Sequence, residues 1–110
     1  ASQIWMILSE VATKTEGEKA LSALHTTQNV CHPGTPYMYH YYIQSLINCG
    51  MNAEAKKALI DYWGGMIKKG ADTFWEAYDP YYFYPMNSYC HAWSCTPVYF
   101  IRKYPEIFQK

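Results

Sequence analysis

TPYMYHYYIQSLINCGMNAEAKKALIDYWGGMIKK, residues 35–69, holds two helices that differ in kind. Thr35 followed by Pro36 is a cap and first-turn pair: the hydroxyl can accept from an orphan N–H, and proline has no N–H to orphan. From Pro36 to about Cys49, Tyr37, Met38, Tyr39, Tyr41, Tyr42, Ile43, Leu46 and Ile47 spread around much of the circumference. Burial on both sides of this helix is the expectation. Gly50 suits a left-handed C′ position and Asn52 is expected to cap the next helix, so the reversal is tight. From Ala53 to about Lys69, Ala55, Leu59, Trp63, Met66 and Ile67 form one stripe, with Glu54, Lys56, Lys57, Asp61, Lys68 and Lys69 around it. A helix buried all round beside one with a single wet face is what a two-layered ring of hairpins produces. Gly64-Gly65 weakens the second helix by about 1 kcal/mol per glycine relative to alanine, which predicts a close helix contact or a bend there.

Upstream, Ile4, Trp5, Leu8, Val11 and Ala12 recur at helical spacing and predict a helix from Ser2, as N-cap, to Thr13. A second, from about Gly17 to Leu24, places Ala20, Leu21 and Leu24 on one stripe, so the two read as one αα-hairpin. Downstream, Gly70 ends the long helix and the chain enters a turn, Ala71-Asp72-Thr73-Phe74-Trp75-Glu76, then a loop from Asp79 to Asn87 carrying Tyr81, Tyr82, Phe83 and Tyr84. Asp72 and Asp79 read as capping or turn residues. Ser88 is expected to cap a last helix running to about Tyr104, with a kink or restart at Pro97 and Thr96 as its second cap. Lys103 to Lys110 reads as a frayed or truncated end. Period-two alternation is absent, so the fold class is all-α.

Half of the chain is hydrophobic, 18% is aromatic and 16% charged, with 12 tyrosines and a net charge of zero. A chain of 110 residues has little interior for that much apolar surface. Some of it is expected to face another part of a longer protein, and self-association through that face is the corollary. No like-charge block supports nucleic-acid or polybasic membrane binding, and no apolar run is long enough to span a bilayer. Cys31, Cys49, Cys90 and Cys95 show neither a compact disulfide framework nor zinc-ligand spacing. They are expected to be free and largely buried, Cys90 and Cys95 on different sides of one helix, with no metal and no cofactor.

Four separated motifs carry a resemblance: Gly34-Thr35-Pro36-Tyr37-Met38, Tyr62-Trp63-Gly64-Gly65-Met66, Gly70-Ala71-Asp72-Thr73-Phe74-Trp75-Glu76, and Ser88-Tyr89-Cys90-His91-Ala92-Trp93-Ser94 with Pro97. Their order and spacing are similar to the late part of the catalytic domain of bacterial α-L-rhamnosidases, glycoside hydrolase family 78. The resemblance implies that residues 1–110 are an incomplete C-terminal portion of an (α/α)6 toroid, about two and a half of its hairpins. It places the general base on Glu76 and His91 in the sugar pocket. The family's earlier acidic motif, source of the general acid, has no counterpart here, and Lys103-Tyr104-Pro105-Glu106 departs from the usual lead into a closing β-domain.

An inverting glycosidase needs one carboxylic acid to protonate the leaving oxygen and one carboxylate to deprotonate the attacking water. Glu76 fits the second role; apart from the resemblance it reads as a surface or helix-end glutamate. Trp75, Trp93 and the Tyr81 to Tyr84 loop are candidates for an apolar wall against a 6-deoxy sugar, core packing being the alternative. His91 reads either as a donor to a sugar hydroxyl or as a satisfied core histidine, and Trp63 as core. The expected function is cleavage of terminal α-L-rhamnosides with inversion, the chain being inactive alone, and the expected partner is a carbohydrate. The alternatives are a fragment of another six-hairpin glycosidase or a stand-alone helical-hairpin module that binds a protein. Against the module, residues 36–69 share no pattern with residues 2–24.

Overall fold

The computed structural model describes residues 1–78 and 88–109. Among these described residues six α-helices follow in order: α1 Ser2–Leu8, α2 Lys14–Thr26, α3 Pro36–Asn48, α4 Asn52–Lys68, α5 Thr96–Lys103 and α6 Pro105–Phe108, with a 3₁₀ turn at Ala92–Ser94. No strand occurs among the described residues, so the fold is all-α. α3 is the hub: it packs against α1, α2, α4 and α5. The short molecular dimension of 21 Å corresponds to two helix diameters, against 39 and 34 Å in the other directions. The molecule is thus an arc of a two-layered wall, as expected for part of an (α/α)6 toroid.

The core runs along the layer interface. Ile4 and Ile7 of α1, Leu21 and Leu24 of α2, Ile43 and Leu46 of α3, Ala55, Leu59, Trp63 and Met66 of α4, and Phe100 of α5 are all buried. α3 buries Tyr42, Ile43, Ser45 and Leu46 and half-buries most of its other residues, leaving Tyr37 and Asn48 exposed. On α4 the stripe holds with one exchange: Tyr62 is buried, whereas Ile67 is 61% exposed.

Local chemistry sets the helix ends. Thr35 caps α3 by accepting from the Met38 N–H at 3.3 Å. Gly50, at φ +79°, closes it, with the Gly50 and Met51 N–H groups donating to the Ile47 and Leu46 carbonyls. Asn52 is the first residue of α4 rather than its cap; Met51 holds that position without a side-chain bond. The first helix stops at Leu8, not Thr13, because Thr13 belongs to the next one. Its hydroxyl accepts from the Glu16 N–H while the Glu16 carboxylate accepts from the Thr13 N–H at 2.9 Å, a reciprocal capping box that starts α2 at Lys14 instead of Gly17. Ala1, not Ser2, caps α1. The two still form a hairpin.

The expected last helix from Ser88 is replaced by a non-helical segment, the 3₁₀ turn, and an α-helix restarting beside Pro97. Cys95 caps that helix and Thr96 is its first residue. Neither Cys90 nor Cys95 is helical, and the two are exposed, as is Cys31; all four thiols are free but only Cys49 is buried. Of the two expectations for the C-terminal residues, fraying does not hold for residues 103–109: α6 returns against α4 and α5, with the Phe108 ring 5.9 Å from Phe100. Among the described residues no helix is long and apolar enough to cross a membrane. Asp79 and the aromatics Tyr81 to Tyr84 lie outside the described residues.

Candidate functional site

The site is built by two non-helical limbs that follow α4 and precede α5. Glu76 N–H donates to the Ser88 carbonyl at 2.8 Å and His91 N–H to the Phe74 carbonyl at 2.9 Å. The limbs therefore run antiparallel, with one more residue between the paired positions on the second limb than on the first, a bulge-like offset. The Thr73 hydroxyl donates to the Tyr89 carbonyl. Beneath, the buried Ser94 hydroxyl donates to the Trp75 carbonyl, and the Ser94 carbonyl accepts from the indole N–H of the buried Trp63 at 2.8 Å. Core residue Trp63 thus anchors both limbs to α4.

This arrangement separates the two neighbours Trp75 and Glu76. Trp75 is buried, its ring 5.4 Å from Tyr89 and 6.5 Å from Tyr78. Glu76 is half-buried, and its Oε2 accepts from the Ser88 N–H at 2.9 Å. Backbone and side chain of Glu76 thus both hold Ser88, which fixes the carboxylate direction. His91 Nδ1 lies 4.0 Å from the same Oε2, each side chain about one-third exposed. The Trp93 indole N–H donates to the Glu76 carbonyl at 3.3 Å, and its ring lies 4.5 Å from the His91 ring. Glu76, His91 and Trp93 are therefore brought together at one edge, whereas Trp75 packs below them.

Ser88 and Thr73 were not legible as parts of this clip. Read as a helix cap, Ser88 satisfies its own limb instead, its hydroxyl accepting from the Cys90 N–H at 3.3 Å. No local signal marks them, because they act through bonds to residues 16 and 12 positions away. The Gly64-Gly65 expectation of close approach resolves onto one residue and a different partner: a methyl at Gly65 would lie 2.5 Å from the Tyr78 hydroxyl, while one at Gly64 would meet only Ile60 at an ordinary 4.0 Å. Tyr78 is in turn held by its N–H donating to the Tyr62 hydroxyl at 3.2 Å. A hollow of about 690 Å³ lies elsewhere, lined by His25, His32, Tyr39, Tyr42, Glu54 and Tyr62 among others. Among the described residues no group of three or more His, Cys, Asp or Glu side chains is placed to hold a metal.

Residues 6–104 match a family model described as the bacterial alpha-L-rhamnosidase 6 hairpin glycosidase domain. Among solved structures, the chain is similar to a rhamnosidase from Klebsiella oxytoca with rhamnose bound, at 45% identity and a TM-score of 0.86. The alignment covers 94% of this chain and 22% of that one. No curated protein matches the chain. With nearly the whole length inside the family model and the paired helices in the same arrangement, the chain belongs to the bacterial α-L-rhamnosidase six-hairpin glycosidase family.

Proposed function

We propose that this chain supplies the general-base half of an inverting glycoside hydrolase site for terminal α-L-rhamnosides, with Glu76 as the base. The observation that carries the reading is the 4.0 Å between His91 Nδ1 and Glu76 Oε2 at a partly open edge, a gap that one water can bridge. The rhamnose bound to the similar Klebsiella oxytoca rhamnosidase supports the choice of sugar.

In this reading the water oxygen bonds to the anomeric carbon as the bond to the leaving oxygen breaks, and the water's proton passes to Glu76. The leaving oxygen takes a proton from a carboxylic acid about 6.5–9.5 Å from Glu76; in this reading that acid comes from an earlier part of the catalytic domain, and the chain alone is expected to be inactive. His91 donates to a sugar hydroxyl or orients the water. The Trp93 face packs against the sugar's methyl and C–H groups, and Trp75 supports the limb from below as the deeper part of that wall.

The test grafts these residues in place of the matching segment of the Klebsiella oxytoca rhamnosidase and compares Glu76 with Glu76→Gln and Glu76→Ala on an aryl α-L-rhamnoside. Loss of base catalysis lowers kcat by about 10²–10⁴-fold. Azide should rescue the alanine variant by attacking in place of water, releasing the inverted glycosyl azide. Undiminished hydrolysis by Glu76→Gln would make Glu76 structural. Should the graft be silent, L-rhamnose must still shift the His91 and Trp93 NMR signals of the chain itself, and no shift at saturating sugar rejects the site.

A further inference from the structure

Trp93 is the first of a row of rings that leaves the candidate site and crosses two helices. Its ring lies 5.6 Å from Tyr37 of α3, Tyr37 lies 5.1 Å from Tyr41, and Tyr41 lies 4.8 Å from Trp5 of α1. With His91 at 4.5 Å from Trp93, the row has five members. Trp5, Tyr37 and Trp93 are 44%, 45% and 42% exposed. Large flat rings left in water side by side, continuous with a ligand site, mark a contact surface rather than scattered exposed residues. The interplanar angles of 38°, 76° and 50° along Trp93, Tyr37, Tyr41 and Trp5 give a faceted strip, not a single plane.

We infer that this row binds the part of the substrate beyond the terminal sugar, and that this part is a saccharide chain. The inference rests on the rhamnoside reading of the Glu76 site. A strip of successive tilted rings is longer than one sugar, and its facets suit the C–H faces of linked pyranoses better than one planar aryl group. Polar atoms lie along it: the Tyr41 hydroxyl donates to the Tyr37 hydroxyl at 3.3 Å, and both can turn to sugar hydroxyls. The cation–ring contacts of the described residues fall on Tyr78, Tyr99 and Tyr104 and not on rings of the row. A neutral ligand fits it better than a charged polymer.

The experiment titrates the chain with L-rhamnose, an aryl α-L-rhamnoside and a neutral trisaccharide ending in α-L-rhamnose, following tryptophan fluorescence and NMR. The trisaccharide should bind more tightly than L-rhamnose, and Trp5→Ala should remove about three- to tenfold of that gain while leaving L-rhamnose affinity unchanged. Tyr37→Ala should act in the same direction, and Trp5→Gln serves if the alanine variant does not fold. His91→Ala should weaken L-rhamnose itself. Trisaccharide affinity unchanged by Trp5→Ala, Trp5→Gln and Tyr37→Ala overturns the inference. So does an equal, Trp5-dependent gain for the aryl rhamnoside, or burial of Trp5 in a concentration-dependent dimer. Trp5-dependent trisaccharide binding without L-rhamnose binding sinks the Glu76 reading and leaves the row standing; no binding of either sinks both.

Discussion

Gly64 and Gly65 are adjacent inside α4, yet alanine at the two positions should act with opposite sign. Each substitution removes the entropic penalty of a helical glycine, about 0.5–1 kcal/mol in favour of the fold. At Gly64 the new methyl's nearest neighbour is Ile60 Cγ2 at 4.0 Å, ordinary contact, so the gain is kept. At Gly65 the methyl would sit 2.5 Å from the Tyr78 hydroxyl and 2.6 Å from its ring carbons. The ring must move by roughly 1 Å to reach normal contact distance, and it is hemmed by Tyr62 at 5.5 Å, Trp75 at 6.5 Å and Lys69 Nζ at 5.8 Å. Overpacking of this kind costs about 1–3 kcal/mol. Gly64→Ala should therefore raise stability by up to about 1 kcal/mol while Gly65→Ala lowers it by about 0–2 kcal/mol. Because the propensity term nearly cancels between neighbours, the difference of about 2 kcal/mol isolates the Tyr78 contact and corresponds to roughly 10 °C in Tm. Thermal and urea unfolding of both variants measure it. Tyr78→Ala provides the internal check: on that background Gly65→Ala should become as stabilising as Gly64→Ala. If Gly65→Ala stabilises the unaltered chain as much as Gly64→Ala does, the reasoning fails. Tyr78 follows Glu76 by two residues, so displacement of its ring should also shift the Ser88 and His91 amide signals.

Thr13→Ala should lower Tm by a few degrees, since it removes the hydroxyl half of the capping box that starts α2; circular dichroism melting measures it, and an unchanged Tm would show that packing alone sets that end. His40 is held below its ordinary pKa of 6.5, first by burial and then by Lys103, so the folded chain keeps it neutral while the unfolded chain protonates normally. Its contribution is fully present above pH 6.5 and is lost as the pH falls towards the lowered folded value, because the unfolded state then binds more protons. Urea midpoints should drop with acidification in this window, less steeply in His40→Gln; identical slopes would discount the group. Cys31, Cys90 and Cys95 are exposed and Cys49 is buried, with burial pushing its thiol upward. An aromatic disulfide reagent should therefore modify three thiols promptly and the fourth on unfolding, and four prompt equivalents would contradict the packing of Cys49.

Periodicity and turn chemistry in the sequence determined the helical content and the central hairpin. The Thr35-Pro36 start and the Gly50 stop are local: a hydroxyl, a missing N–H and a positive φ act on neighbouring backbone, so residue order alone specifies them. The buried stripe of α4 was legible for the same reason, since one helical turn recurs whatever packs on it. The Thr13 to Glu16 capping box is equally local and was there to be read, but the apolar spacing of Val11 and Ala12 pointed to a longer first helix. Val11 is 72% exposed, so periodicity misled where a cap decided.

What only tertiary structure decided lies after Gly70. Residues 71–78 and 88–95 take their conformation from each other and from Trp63, through bonds between residues 12 or more positions apart. No local propensity encodes such pairings. The sequence nominated Trp75, Glu76, His91 and Trp93 together, but their separation into a buried indole below and a carboxylate, imidazole and second indole at the edge follows from the register of the clip. The row from Trp93 to Trp5 spans residues 5, 37, 41 and 93 and exists only because α1 and α3 pack side by side with the clip at their edge. Helices form from interactions within a turn or two, and these the sequence carries openly. A surface shared by distant segments requires the chain to have folded first.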